Sequence, residues 1–212
     1  DNAMFIIALD YLLEMAPDSP QASRWKSLRE GIERNVRAHL WDEKRQKFIP
    51  HIYPEKSPIP EGFDELAIHY HGGTAIAIEA GLLSKDEIRT VNAQMLENVR
   101  LSGMPSIGLT LYPVYPDGFF HGGMSKAYLY QNGGDWTWFG GRMIQQLVVN
   151  GMVEEAYAEI HPMIERVIQN DGFYEWYGKG GVPSGSGNFK GSAGVLSKAI
   201  ELLRDWAEKN KS

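Results

Sequence analysis

A chain of 212 residues, 43% apolar and 23% charged, is long enough to bury a substantial core, since burial per residue rises with length. Its formal charge of −6, with no stripe of Lys and Arg interleaved with aromatics, sets nucleic acid aside as a partner. The absence of cysteine excludes disulfides, thiolate catalysis and zinc–thiolate sites, and no run of about eighteen apolar residues predicts a membrane span.

Two kinds of helical segment alternate along the chain, which reads as one domain over residues 1–212. Met4 to Met15 is apolar nearly all the way round and predicts a helix buried on every side. Arg24 to Leu40 differs, with Trp25, Leu28, Ile32, Val36 and Leu40 forming one stripe between charges, so one face meets water. Glu65 to Ala80 is apolar again and stops at Gly81, whereas Ser84 with Glu87 forms a capping box for a striped helix carrying Ile88, Val91, Met95 and Val99. Trp136 to Val149 is of the buried type and closes at Asn150-Gly151. Val153 to Ile168 is striped, with a kink expected at Pro162, and Ser192 to Trp206 is of the buried type for three turns. Lys47 to Tyr53 and Phe173 to Tyr177 read as short β-hairpins between helices.

Buried helices that start roughly 55 to 75 residues apart predict helical hairpins whose inner members face a common axis. The expected fold is all-α, an (α/α) helical-hairpin toroid of which three and a half hairpins are present, about half of a full barrel. An open array of that size leaves inner helices wet on two sides. An upstream half of the barrel, or a second chain, is therefore expected to cover the open face. The opening Asp1-Asn2-Ala3-Met4 also reads as a point within something longer. On helix pattern alone, an α-solenoid with no catalytic duty fits equally well.

In antiparallel hairpins the inner helices run the same way, so their N-termini gather at one rim, where unpaired N–H groups suit sugar hydroxyls and carboxylates. Polar or Gly-rich segments lead into each: Asp1-Asn2, Glu61 and Asp64, Tyr130-Gln131-Asn132-Gly133-Gly134-Asp135, and Ser184-Gly185-Ser186-Gly187-Asn188. Glu175 lies on the same rim between Phe173, Tyr174, Trp176 and Tyr177, an apolar setting that suits a proton-transfer group. Trp136 and Trp138 sit too close in a helix to face the same way, so one belongs to the rim and the other to the core. His69 and His71, taken as helical, diverge by about 200° and cannot share a metal. Neither a metal nor a cofactor is expected. No GxSxG elbow, P-loop or dinucleotide fingerprint occurs.

Taken in order, Tyr130-Gln131-Asn132-Gly133-Gly134-Asp135-Trp136, a buried helix, a striped helix, Phe173-Tyr174-Glu175-Trp176-Tyr177 and a Gly/Ser-rich stretch before a last buried helix resemble the C-terminal part of six-hairpin glycosidases. The likeness is to the trehalase, processing α-glucosidase and neutral invertase families and to the glucosidase part of glycogen debranching enzymes. Asp1-Asn2-Ala3 resembles the start of a mid-barrel helix there, and Arg34 to Trp41 with Asp42-Glu43 is similar too. Such relatives invert: one carboxylic acid protonates the leaving oxygen, and a carboxylate across the ring activates water. The resemblance implies a glucoside-like carbohydrate substrate, with Glu175 as base. It implies Gln131, Asn132, Asp135 and Trp136, with Tyr174 and Tyr177 beside the base, as binding residues. One departure is plain: the matching general acid lies upstream of Asp1, and Glu61, Asp64 and Asp135 are the carboxylates here that could replace it. A carbohydrate-binding scaffold and a sugar phosphorylase or epimerase on a related barrel are the rival readings.

Overall fold

The computed structural model describes residues 1–211. Among the described residues seven α-helices carry the fold: α1 (Asn2–Met15), α2 (Ala22–Leu40), α3 (His71–Glu79), α4 (Lys85–Ser102), α5 (Thr137–Val149), α6 (Val153–Gln169) and α7 (Lys190–Lys209). The odd-numbered helices stand side by side in an arc, with α3 packed between α1 and α5, and α5 between α3 and α7. Helices α2, α4 and α6 lie behind them, as in an (α/α) hairpin toroid. The main core runs between these two layers, through Ile6, Val36, Ala77, Ile88, Met143, Leu147, Ile160, Met163 and Leu196.

Helix boundaries follow local chemistry. The capping box opens α4: the Ser84 hydroxyl accepts from the Glu87 N–H at 3.3 Å and the Glu87 carboxylate accepts from the Ser84 N–H at 2.8 Å. Left-handed glycines follow α3, α4 and α5, at Gly81, Gly103 and Gly151. Close packing of α5 needs Gly140 and Gly141, since a Cβ at Gly140 would lie 1.9 Å from Met163 Cε and one at Gly141 3.0 Å from Val195. Helix α6 runs through Pro162 as one segment.

Several expectations change. Glu65 to Ala80 is not one helix: a 3₁₀ turn at Glu65–Ala67 and a two-residue strand β3 (His69–Tyr70) precede α3. The strand forms because a partner arrives from some forty positions along the chain, β4 (Leu111–Tyr112), pairing His69 with Tyr112. Within hydrogen-bonding reach of a neighbour, tertiary pairing overrides helical pattern. Helix α1 is not buried on every side either: Tyr11 is 57% and Met15 74% exposed, with Met4 and Phe5 also open. Nor is α7, where Ile200 and Trp206 meet solvent. Both helices end the arc and lack a neighbour on their far side among the described residues. The two expected hairpins are displaced as well: Lys47–Tyr53 supplies only β2 (Lys47–Phe48), which pairs back with β1 (Trp41–Asp42), and Phe173–Tyr177 supplies only β5 (Trp176–Tyr177), which pairs onward with β6 (Pro183–Ser184).

No helix is long and apolar enough to cross a membrane among the described residues. Buried charge sits in the outer layer. Glu159 of α6 is 9% exposed amid Ala156, Ile160 and Met163, and burial pushes its carboxyl up to about 7. The folded value exceeds the ordinary one, so the stability that Glu159 contributes is full below about pH 4.5 and is lost as pH rises through 7. We predict that Glu159→Gln, which cannot titrate, is more stable than the parent at pH 8.5 by about 3 kcal/mol, with the gap closing near pH 4.5. Urea unfolding at both pH values checks this, and an equal gap at both would sink it.

Candidate active site

The N-termini of the inner helices are stitched together by backbone hydrogen bonds from one extended segment. The His71 N–H at the start of α3 donates to Thr110, Thr110 donates to Gly134, and the Trp136 N–H before α5 donates to Gly108 at 2.7 Å. Asp135 and Tyr177 then exchange N–H···O bonds of 2.9 and 2.7 Å. That exchange fastens the Phe173-Tyr177 loop to the start of α5. Phe189, just before α7, donates to Phe173. Three rim segments expected from sequence are thereby brought together: 130–136, 173–177 and 184–189.

Beneath this ladder lies a buried ion pair. Asp135 has no exposed surface and Arg166, from outer helix α6, is 5% exposed. Arg166 Nη1 stands 2.8 Å from Asp135 Oδ1. Ser106 Oγ donates to the same carboxylate, Arg166 Nη2 donates to Thr137 Oγ1 at 2.6 Å, and the guanidinium lies 4.0 Å over the Tyr177 ring. Sequence reasoning missed Ser106 and Arg166, because each meets Asp135 from about thirty residues away in an otherwise ordinary loop and striped helix.

Glu175 sits above that floor, half-buried. Its Oε1 accepts from the Tyr130 hydroxyl at 3.2 Å and its Oε2 from the Ser186 N–H at 3.4 Å, while its own N–H donates to Ser186 O. Tyr130 is placed for this by a left-handed backbone (φ 52°), its carbonyl accepting from both the Gly134 N–H and the Trp136 indole. Side chains are excluded at the two contact points: a Cβ at Gly134 would lie 2.2 Å from the Tyr130 carbonyl oxygen, and one at Gly185 2.5 Å from Glu175 Oε2.

The expected binding residues divide by exposure. Gln131 is exposed and Tyr174 half-buried, whereas Trp136 is 5% exposed, packed edge-on to Tyr130. Asn132, Asp135 and Tyr177 are fully buried. Asn132 clips another rim loop, accepting from the Tyr115 N–H at 2.9 Å and donating to Tyr115 O. Trp138 lies half-buried under Arg142. Glu61 and Asp64 are exposed on the loop before α3.

Glu65, absent from the sequence-derived candidates, proves to be a hub. Its Oε1 accepts from Tyr115 Oη at 2.7 Å and Tyr53 Oη at 2.8 Å, with His51 Nδ1 at 2.8 Å. Burial pushes its carboxyl up, but the hydrogen bonds from Tyr115, His51 and Tyr53 together hold it below the usual range. His69 and His71 stand on β3 and the first residue of α3, not along one helix, with rings 5.1 Å apart. Burial depresses both, His69 to about 3, and no cluster of three metal-ligating side chains occurs among the described residues.

Removing one partner of a buried pair strands the other, at a cost of about 3–5 kcal/mol. Arg166→Met should therefore cost that much in urea unfolding, and Arg166→Met with Asp135→Leu distinctly less. A single-variant loss under about 1 kcal/mol would show that the pair does not hold the rim.

No protein-family model matches the chain, and no curated protein does. Solved structures do. A GH63 mannosylglycerate hydrolase from Thermus thermophilus, solved with Tris and D-glycerate, aligns over 96% of this chain with a TM-score of 0.63 and 16% identity. The same hydrolase with glucose, and an uncharacterized conserved protein of that organism, each give 0.65 and 18%. The alignments span 44 to 45% of those chains, so this chain corresponds to less than half of each neighbour's length. The likeness establishes the fold alone: helical hairpins arranged as in part of an (α/α) toroid.

Proposed function

We propose that these residues form the base-bearing part of an inverting glycoside hydrolase acting on a glucoside-like bond. The observation that carries this reading is the state of Glu175. Its carboxylate is gripped from two sides, by Tyr130 Oη and the Ser186 N–H, yet stays partly open at the rim where inner-helix N-termini meet. A carboxylate fixed in direction and reachable by water is what base-assisted attack requires. Gln131 and Tyr174 contact the sugar, while Asn132, Asp135, Tyr177 and the buried Trp136 hold those groups in place. Asp135, sealed against Arg166, is not the general acid; that role falls to the exposed Glu61 or Asp64, or to a carboxylate from outside these residues. An upstream half of the barrel or a second chain covers the apolar far sides of α1 and α7 and completes the site.

Turnover by the intact protein tests the assignment. Glu175→Gln is expected to lower kcat by about 10²- to 10⁴-fold with KM little changed, and proton NMR should show the first-formed product with inverted anomeric configuration. A rate within about tenfold of the parent removes Glu175 from the base role, and a retained anomer removes inversion.

A further inference from the structure

A cavity of about 720 Å³ opens at the N-terminal ends of α1 and α3, against the C-terminal half of α2. That is the size of a small-molecule site. Its floor is apolar, through Val36, Leu40 and Ala77, and its mouth is polar, through Asn2, Asn35, His39, His51 and Tyr70. It lies on the same rim as Glu175, joined to it through the 130–132 segment and the hydrogen bonds that segment makes. Tyr130 leads to Asn132, Asn132 clips Tyr115, and Tyr115 donates to Glu65.

His51 is the wall residue whose orientation is fixed. A carboxylate only accepts, so His51 Nδ1, 2.8 Å from Glu65 Oε1, must carry the hydrogen. In the neutral ring that leaves Nε2 as a bare acceptor on a side chain 45% exposed at the cavity. The imidazole packs on Tyr70 and Tyr53, with ring centroids 6.0 and 5.5 Å apart. An oriented acceptor beside aromatic faces and amide side chains matches a neutral ring rich in hydroxyls. An anionic oxygen at Nε2 would find no hydrogen there to accept and would lie close to the Glu65 carboxylate.

We propose that this cavity is a second sugar-binding site of the rim, in which His51 Nε2 accepts a hydroxyl proton from a neutral sugar and Glu65 fixes the imidazole. The choice of sugar as ligand class rests on the hydrolase reading; the tautomer and the cavity do not.

Histidine ¹⁵N NMR of the intact protein, with glucose as the probe, tests it. His51 should appear as the Nδ1–H tautomer, and its Nε2 resonance should move saturably with glucose. Glu65→Gln should weaken that titration by about three- to tenfold, the range for one lost hydrogen bond, while a thermal melt shows the variant folded. A purely structural Glu65 would leave the glucose titration of Nε2 the same in Glu65→Gln as in the parent. An unmoved Nε2 at saturating glucose, or an equal titration in Glu65→Gln, overturns the proposal. If His51 responds to glucose while the intact protein cleaves no glycoside, the hydrolase reading falls and the sugar site stands.

Discussion

The rim depends on the junction at Asp135, whose backbone and side chain face different tasks. Its main chain pairs with Tyr177 and so carries the Glu175 loop, while its buried carboxylate meets Arg166 and Ser106 underneath. Burying a charge is unfavourable unless it is paired and hydrogen-bonded, so the pair specifies one arrangement more than it adds stability. Any shift of the loop relative to α6 would separate an aspartate and an arginine that have no water to fall back on. The outer helix thereby fixes the direction of a carboxylate that it never touches.

Around that junction the chain accepts local conformations that sequence alone does not favour. Tyr130 adopts a left-handed backbone, as does Tyr128 beside it, an arrangement uncommon for bulky residues. Glycines at 134 and 185 remove the side chains that would collide there. The indole of Trp136 and the Gly134 N–H both bond the Tyr130 carbonyl, so the unfavourable torsion is held by two donors. Strain of this kind persists where the surroundings over-determine it, which is characteristic of sites rather than of cores.

Much of the helical frame was legible in the sequence. Apolar stripes gave the outer helices, the Ser84–Glu87 box fixed the start of α4, and Asn150-Gly151 ended α5 where expected. The misses share a cause. Strand β3 exists only because residues 111–112 come alongside it, and Glu65 becomes a hub only when Tyr53 and Tyr115 converge from either side, twelve and fifty positions away. No local pattern encodes such meetings. The openness of α1 and α7 was misjudged for a related reason: composition reports what a helix can bury, not whether a neighbour is present to bury it.

Three carboxylates of this rim share one kind of functional group and differ only in what surrounds them. Asp135 faces inward to a guanidinium and has no access to solvent, so it can neither take a proton from water nor give one to a substrate. Glu65 receives two tyrosine hydroxyls and an imidazole on a single oxygen. Taking up a proton would disrupt that set of donors, which suits a permanent acceptor and orienter. Glu175 has one longer contact on each oxygen, 3.2 and 3.4 Å, and a partly exposed head. Weakly held hydrogen bonds fix its direction without saturating its lone pairs, leaving it free to accept a proton from an approaching water. Under the proposed reading, proton exchange falls to the one carboxylate of the three that is oriented but not saturated, and the other two keep it so.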